Sequence, residues 1–278
     1  AMLAVPWVLI LLKEDQQDSR YLFGGIGLAT LIAAGAGMMT RMRHVHARKT
    51  PMKTRLHKFR DEKSPQREKC APGPDRAVPF KRIRELLHFF RDLIGQRNAY
   101  YLNSNIIKPL TKYDKLSFAE YVGPARVQFF VSHYWGTSFE HFVETLMRHA
   151  LLITESDLGR SPLGKSQTRT SLAGADSIAY WVCFLSNNQW HLEEELGQWY
   201  DSSFYKALRS ESCQGTCMVL DKDAKPLTRA WCLFEVLQTF EREREGHGFK
   251  GLIYCTERGV IQKDALEKCK DTCYDVAL

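Results

Sequence analysis

A lone glutamate in an apolar stretch, Glu235, is the residue of this sequence best suited to chemistry. It follows Trp231, a ligand-binding candidate, by four positions, so a helix with about 100° per residue places its carboxyl group beside the indole ring. A carboxylate close to aromatic rings can stabilise the sugar cation that forms when a glycosidic bond breaks. The alternative is a glutamate in contact with solvent on an ordinary surface helix.

The helix that carries Glu235 is predicted over Arg229 to Glu243, with Thr228 as its N-cap. Its apolar residues share one face, and Glu235 lies opposite them with Gln238 and Thr239. We expect the apolar face to pack on the core; it consists of Leu233, Val236, Leu237 and Phe240.

A second group of candidate residues lies where the first predicted strand, Val127 to Ser132, comes to an end. Its members are the ligand-binding candidates Ser132, His133, Tyr134 and Trp135. His133 is either a general base or a histidine held in place by hydrogen bonds. The polar run from Asn187 to His191 follows the next strand, and it either binds ligand amides or forms a turn.

Strands and helices alternate along the C-terminal half of the chain. Further strands are predicted at Ile178 to Leu185, Thr216 to Leu220 and Leu252 to Cys255, and helices at Phe139 to Leu152 and Ser203 to Leu208. This alternation predicts an α/β domain with a doubly wound parallel sheet. In such a sheet, ligands bind beyond the carboxyl ends of the strands, where both groups of candidates fall.

Two motifs in residues 126–278 resemble Toll/interleukin-receptor (TIR) domains. Phe129-Phe130-Val131-Ser132-His133-Tyr134-Trp135-Gly136 is similar to the family's opening strand, and Trp231-Cys232-Leu233-Phe234-Glu235-Val236 is similar to its Trp-Cys-Leu-x-Glu-Leu signature, with valine in the last place. The pair looks like a TIR-related group of algae and other protists, dinoflagellates among them. The resemblance implies a flavodoxin-like fold, and it implies that Glu235 is catalytic if this member cleaves NAD. The family's loop after the second strand has no counterpart here.

The sequence excludes several other kinds of site. Neither a Gly-x-Gly-x-x-Gly loop nor a Walker loop is present, so no bound nucleotide cofactor is expected. NAD is expected only as a substrate, and only if the chain is an NAD-cleaving enzyme. The cysteine pairs Cys213/Cys217 and Cys269/Cys273 have no histidine nearby, so no metal site is expected.

The N-terminal 40 residues have the composition of a membrane segment. Residues 21–40 carry no charge and are long enough to cross a hydrocarbon core of about 30 Å, which predicts a transmembrane helix. Its small residues predict close packing on a partner helix through Gly24, Gly27, Gly35 and Gly37. The shorter run 2–12 is predicted to lie in the membrane interface. The alternative for this region is a targeting segment.

The net charge of +7 is concentrated in one basic stretch, Arg41 to Arg60, which lies next to the predicted membrane helix. This position favours binding to anionic lipid or to an acidic protein surface and argues against nucleic acid. By the positive-inside rule, the α/β domain lies on the stromal, matrix or cytosolic side. Residues 41–79 form a basic, proline-rich linker, and residues 80–125 form a helical connector.

Two functions are consistent with these features. The first is a membrane-anchored accessory or scaffold subunit of an organellar complex, photosynthetic or respiratory, in the thylakoid or the mitochondrial inner membrane. Its partners are other subunits of that complex, and its TIR-like domain is not catalytic. The second is a membrane-tethered NAD-cleaving hydrolase. Adaptor roles through pairing of like domains remain a further alternative.

Overall fold

The computed structural model describes residues 51–63, 66–157 and 168–261. The chain divides into two units, Ala1–Arg55 and Leu56–Leu278, and residues 51–55 are the described part of the first. No helix within the described ranges is both long and apolar enough to cross a membrane. The predicted membrane segments 2–12 and 21–40, with Gly24, Gly27, Gly35 and Gly37, lie outside those ranges.

The described residues form a mixed α/β structure. Its helices are α1 at residues 51–63, α2 at Phe80–Ile94, α3 at Ala99–Leu102, α4 at Lys108–Thr111, α5 at Phe118–Val122, α6 at Phe139–Asp157, α7 at Thr168–Ser177, α8 at Cys183–Ser186, α9 at Leu192–Leu196, α10 at Ser203–Leu208 and α11 at Ala230–Glu245. Its strands are β1 at Val78–Pro79, β2 at Phe129–His133, β3 at Ala179–Val182, β4 at Gly215–Val219, β5 at Leu252–Thr256 and β6 at Gly259–Ile261. Three short 3₁₀ turns and a π-helical turn at Asn103–Ile107 connect these elements.

The six strands form one mixed sheet in the order β1-β3-β2-β4-β5-β6. The four central strands are parallel to one another, and β1 and β6 pair antiparallel at the two edges. The four predicted strands correspond to β2, β3, β4 and β5, which confirms them. β1 falls in the predicted linker, and its Pro79 suits an edge because proline lacks an N–H group for a second neighbour.

Helices pack on both faces of the central strands. Neighbouring side chains of a strand point to opposite faces, so each face can contact a different helix. On one face, Nδ1 of His149 in α6 lies 2.8 Å from the hydroxyl group of Tyr180 in β3. On the other face, the hydroxyl groups of Thr239 in α11 and Thr216 in β4 are 2.8 Å apart. The core next to α11 includes Phe130, whose ring stacks on that of Trp181 with centroids 5.0 Å apart.

The last three residues of the predicted strand Ile178 to Leu185 are helical and belong to α8. The Ser186 hydroxyl accepts a hydrogen bond from the backbone N–H of Val182 (2.9 Å), and this bond turns the chain where the strand ends. The β-branched and aromatic pattern identifies the strand but does not reveal this local bond.

The orientation predicted for α11 is wrong. Of the four residues expected in the core, Leu233, Leu237 and Phe240 are 47%, 51% and 45% exposed, and Val236 is only partly buried. The buried residues are Cys232, Glu235, Gln238, Thr239 and Arg242. The reason is that polar groups of the sheet and of α10 form hydrogen bonds with the polar face of this helix and so bury it. The periodicity of apolar residues cannot reveal these distant partners. The helix begins one residue later than predicted, with Arg229 at the N-cap, and Thr228 donates its hydroxyl to the Lys225 carbonyl (2.8 Å).

We expect Leu237→Ala to lower the free energy of unfolding by less than about 1 kcal/mol, because the side chain is half exposed. A leucine in the core typically costs about 2–5 kcal/mol when cut to alanine. The matched control is therefore Leu146→Ala in α6, whose side chain is fully buried. Denaturant unfolding measures both variants, and equal losses would contradict the observed orientation of α11.

Candidate functional site

A cavity of about 290 Å³ opens where β2 and β3 end and α11 begins. The residues that line it are Tyr100, His133, Tyr134, Trp135, Cys183, Arg229, Trp231, Cys232 and Glu235. Five of these were candidates from the sequence, and the sixth candidate, Ser132, is hydrogen-bonded to Glu235. The structure thus brings Glu235 and Trp231 together with the candidates at the end of β2 around one space.

Glu235 is the central acidic group of this cavity. Its side chain is only 2% exposed, so the alternative of a glutamate in contact with solvent is wrong. The Ser132 hydroxyl donates a hydrogen bond of 2.6 Å to Oε2. Burial raises the pKa of Glu235 from 4.5 to about 8, and the bond from Ser132 opposes this shift by favouring the charged form. At neutral pH the carboxyl group is therefore mostly protonated.

Aromatic side chains form the walls of the cavity. The indole N–H of Trp135 donates to the sulfur of Cys183 (3.0 Å), and its ring contacts Phe184 with centroids 5.7 Å apart. Trp231 packs on Phe204 with centroids 5.1 Å apart while half of its surface stays exposed. A planar ring that enters this space therefore meets indole groups held in place by the core.

His133 lies in the cavity wall and not in solvent. Its ring packs against Phe142 and Phe184, with centroids 4.8 Å and 5.6 Å away. Burial lowers the pKa of His133 to about 4, so the ring is neutral at physiological pH. A base this weak is poorly matched to proton abstraction near pH 7. Neither ring nitrogen makes a hydrogen bond within the described residues, so the alternative of a histidine held in place by hydrogen bonds is also wrong, and aromatic packing positions the ring instead.

The two cysteines of the wall are also unsuited to nucleophilic chemistry. Burial raises the pKa of the Cys232 thiol to about 11 and raises that of Cys183 further. Both are therefore protonated thiols near neutral pH, and the thiolate is the reactive form.

Four lining residues were not candidates from the sequence: the two cysteines Cys183 and Cys232, and also Arg229 and Tyr100. The Arg229 guanidinium lies 5.5 Å from the ring centroid of Tyr134 and supplies the positive charge of the cavity. Its position directly before α11 was a usable signal. Tyr100 comes from α3, more than a hundred residues before Glu235, and nothing in the local sequence indicates that it reaches the site.

The run from Asn187 to His191 is not part of the cavity lining. Its side chains bind the helical connector instead: Asn188 donates to the Lys115 carbonyl (2.7 Å), and Gln189 accepts from Asn103 (2.9 Å). Trp190 donates its indole N–H to the hydroxyl of Thr111 (3.0 Å). These bonds anchor the loop after β3 to residues 103–115.

Comparison of the chain with protein-family models, with curated proteins and with solved structures finds no match. The case for a function therefore rests on the residues and geometry of the cavity itself. No cluster of three or more potential metal ligands occurs among residues 51–63, 66–157 and 168–261.

We expect Glu235→Gln to stabilise the protein at neutral and alkaline pH. The folded-state pKa is raised, so the contribution of Glu235 to stability is full below about pH 4.5 and is lost as pH rises to about 8. Glutamine stays neutral and avoids this loss, which amounts to a few kcal/mol at most because each pKa unit is worth about 1.4 kcal/mol. Unfolding curves of both proteins from pH 4 to 9 measure the difference, and a gap that does not widen with pH would contradict the buried, protonated state.

Proposed function

We propose that this chain carries a TIR-like domain with a doubly wound, flavodoxin-like sheet that cleaves nicotinamide from NAD. The parallel order β3-β2-β4-β5 supports this plan, since successive connections leave the first strand in opposite directions. Ligands of such sheets bind beyond the carboxyl ends of the strands at the point of reversal. The cavity lies there, between residues that follow β2 and residues that follow β4.

The observation that carries this proposal is the buried Glu235 carboxyl group in a cavity with aromatic walls. In the reaction, the bond between C1′ of the ribose and the pyridinium nitrogen breaks, and nicotinamide leaves with the bonding electron pair. The ionised carboxylate stabilises the positive charge that develops on the ribose. Water then adds to C1′ and loses a proton, which gives ADP-ribose. The Ser132 hydroxyl positions the carboxylate and favours its charged form.

Nicotinamide release from NAD by the full chain tests this activity. We expect Glu235→Gln to lower the rate at least about a hundredfold, because it removes the charge that stabilises the transition state. The matched control is Glu241→Gln, an exposed glutamate of the same helix, which should leave the rate unchanged. Release that does not depend on Glu235, or no release by the parent chain, would refute the proposal.

The pH profile gives a second readout of the same proposal. Only the ionised form of Glu235 stabilises the ribosyl cation, so the rate should rise with pH through about 8. Ser132→Ala removes a donor to the charged form and should move this profile to higher pH. A rate that is flat between pH 6 and 9 would argue against a protonated resting carboxyl group.

A second proposal is favoured by the exposed apolar face of α11, formed by Leu233, Leu237 and Phe240. We propose that this face packs on an apolar surface of another subunit in an organellar membrane complex, photosynthetic or respiratory. On this proposal the N-terminal segment holds the chain at the thylakoid or mitochondrial inner membrane, and the stretch from Arg41 to Arg60 binds anionic lipid. Large exposed apolar patches are typical of protein contacts.

This second function is tested by purification of the full chain from its membrane in mild detergent. We expect Leu237→Glu to remove the chains that accompany the parent protein, because a charge would be buried in the interface. Leu192→Glu, at an exposed apolar residue of α9, is the control and should retain them. Loss of partners without loss of NAD cleavage would separate the two roles, since Glu235 and Leu237 lie on different faces of α11.

A further inference from the structure

Helix α3 lies outside the sheet, yet its first turn is fixed to the loop that follows β2. The backbone N–H of Ala99 donates to the Trp135 carbonyl (3.0 Å), and the N–H of Phe139 donates to the Arg97 carbonyl (2.9 Å). The Asn98 side chain caps the helix by accepting from the N–H of Tyr101. These bonds therefore fix the start of α3 to the loop that supplies part of the cavity wall.

The π-helical turn Asn103–Ile107 directly follows α3 and fixes it from the other side. Asn103 of this turn donates to Gln189 in the loop after β3 (2.9 Å). A π-helical turn replaces regular hydrogen bonding at some cost and is often found at functional sites. The connector is thus held at the ends of both strands that border the cavity.

This arrangement places the Tyr100 side chain at the cavity next to Trp135. The two ring centroids are 5.2 Å apart with the planes tilted by 56°. Trp135 is held by Cys183 and Phe184, whereas the Tyr100 ring is 49% exposed. One ring of the pair is therefore rigid, and the other has free surface at the opening.

We propose that Tyr100 is a ligand-binding residue that contacts, together with Trp135, the positively charged pyridinium ring of the substrate. This inference rests on the proposed NAD-cleaving function. The faces of tyrosine and tryptophan rings carry partial negative charge and attract cations. The pair should therefore bind the cationic ring of NAD more tightly than a neutral ring, such as that of NADH or of released nicotinamide.

The test uses the full chain with Glu235→Gln, so that NAD is bound without being consumed. Calorimetric titration with NAD and with NADH gives two dissociation constants for each variant. We expect Tyr100→Leu to weaken NAD binding on the order of tenfold, the loss typical of one aromatic ring stacked on a base. NADH binding should change less, so the preference for NAD over NADH falls. Tyr100→Phe keeps the ring and should keep that preference.

The control is Tyr113→Leu, a tyrosine of the connector that is 79% exposed and does not line the cavity. It should bind both nucleotides as the parent does. In the chain with Glu235 intact, Tyr100→Leu should raise KM and leave kcat within about twofold, as expected for binding of the substrate ring.

Three outcomes would overturn the inference. If Tyr100→Leu binds NAD as the parent does while the parent chain still cleaves NAD, the inference about Tyr100 is refuted and the proposed function is not. An equal loss of NAD and NADH binding, with a lower unfolding temperature, would show a structural role for Tyr100. A parent chain that neither binds NAD nor releases nicotinamide would overturn the proposed function and this inference with it.

Discussion

The burial of a polar helix face against the sheet is the constraint on which the candidate site depends. Glu235 pairs with Ser132 of β2, and Thr239 pairs with Thr216 of β4. At the far end of the helix, the Arg242 guanidinium donates to the Leu208 carbonyl, where α10 ends. A buried polar group without a partner costs about 1–3 kcal/mol, so these pairs allow one rotation of α11 about its axis and disfavour the others.

That rotation has consequences on both sides of the helix. On the inner side it brings a carboxyl group into the cavity wall, where lack of water holds it protonated near neutral pH. On the proposed function, a positively charged ring bound beside this group would favour its ionised form, which would couple substrate binding to ionisation of the carboxyl group. On the outer side the same rotation leaves three large apolar residues in contact with water. The same rotation of α11 therefore produces both the candidate site and the exposed apolar face.

The helical connector contributes more than a link between segments. It bonds to the loops after β2 and β3 through Ala99, Asn103 and Thr111, so these loops are braced from outside the sheet. Bracing of this kind positions binding residues on loops that would otherwise move. The connector also supplies Tyr100, so the cavity is lined by residues of both the connector and the α/β region.

The sequence by itself determined the central elements and most of the candidate site. The four parallel strands follow from short apolar runs, and the predicted connector begins with helix α2, whose buried residues Ile83, Leu86, Phe90 and Ile94 recur at helical spacing. The cluster of Ser132 to Trp135 with Trp231 and Glu235 follows from the rule that strand ends meet at one edge of a parallel sheet. Such features depend on neighbours within a few residues or on a single topological rule, and the sequence contains both.

Only the tertiary structure decided which face of α11 is buried and which distant residues complete the cavity. The periodicity of Leu233, Leu237 and Phe240 predicts a core face, but hydrogen bonds to Ser132 and Thr216, each more than twenty residues away, bury the other face. Tyr100 reaches the site through backbone bonds to the loop after β2. The raised pKa of Glu235 likewise comes from the exclusion of water by packed neighbours. Contacts between distant segments leave no local pattern, and so they become visible only once the chain has folded.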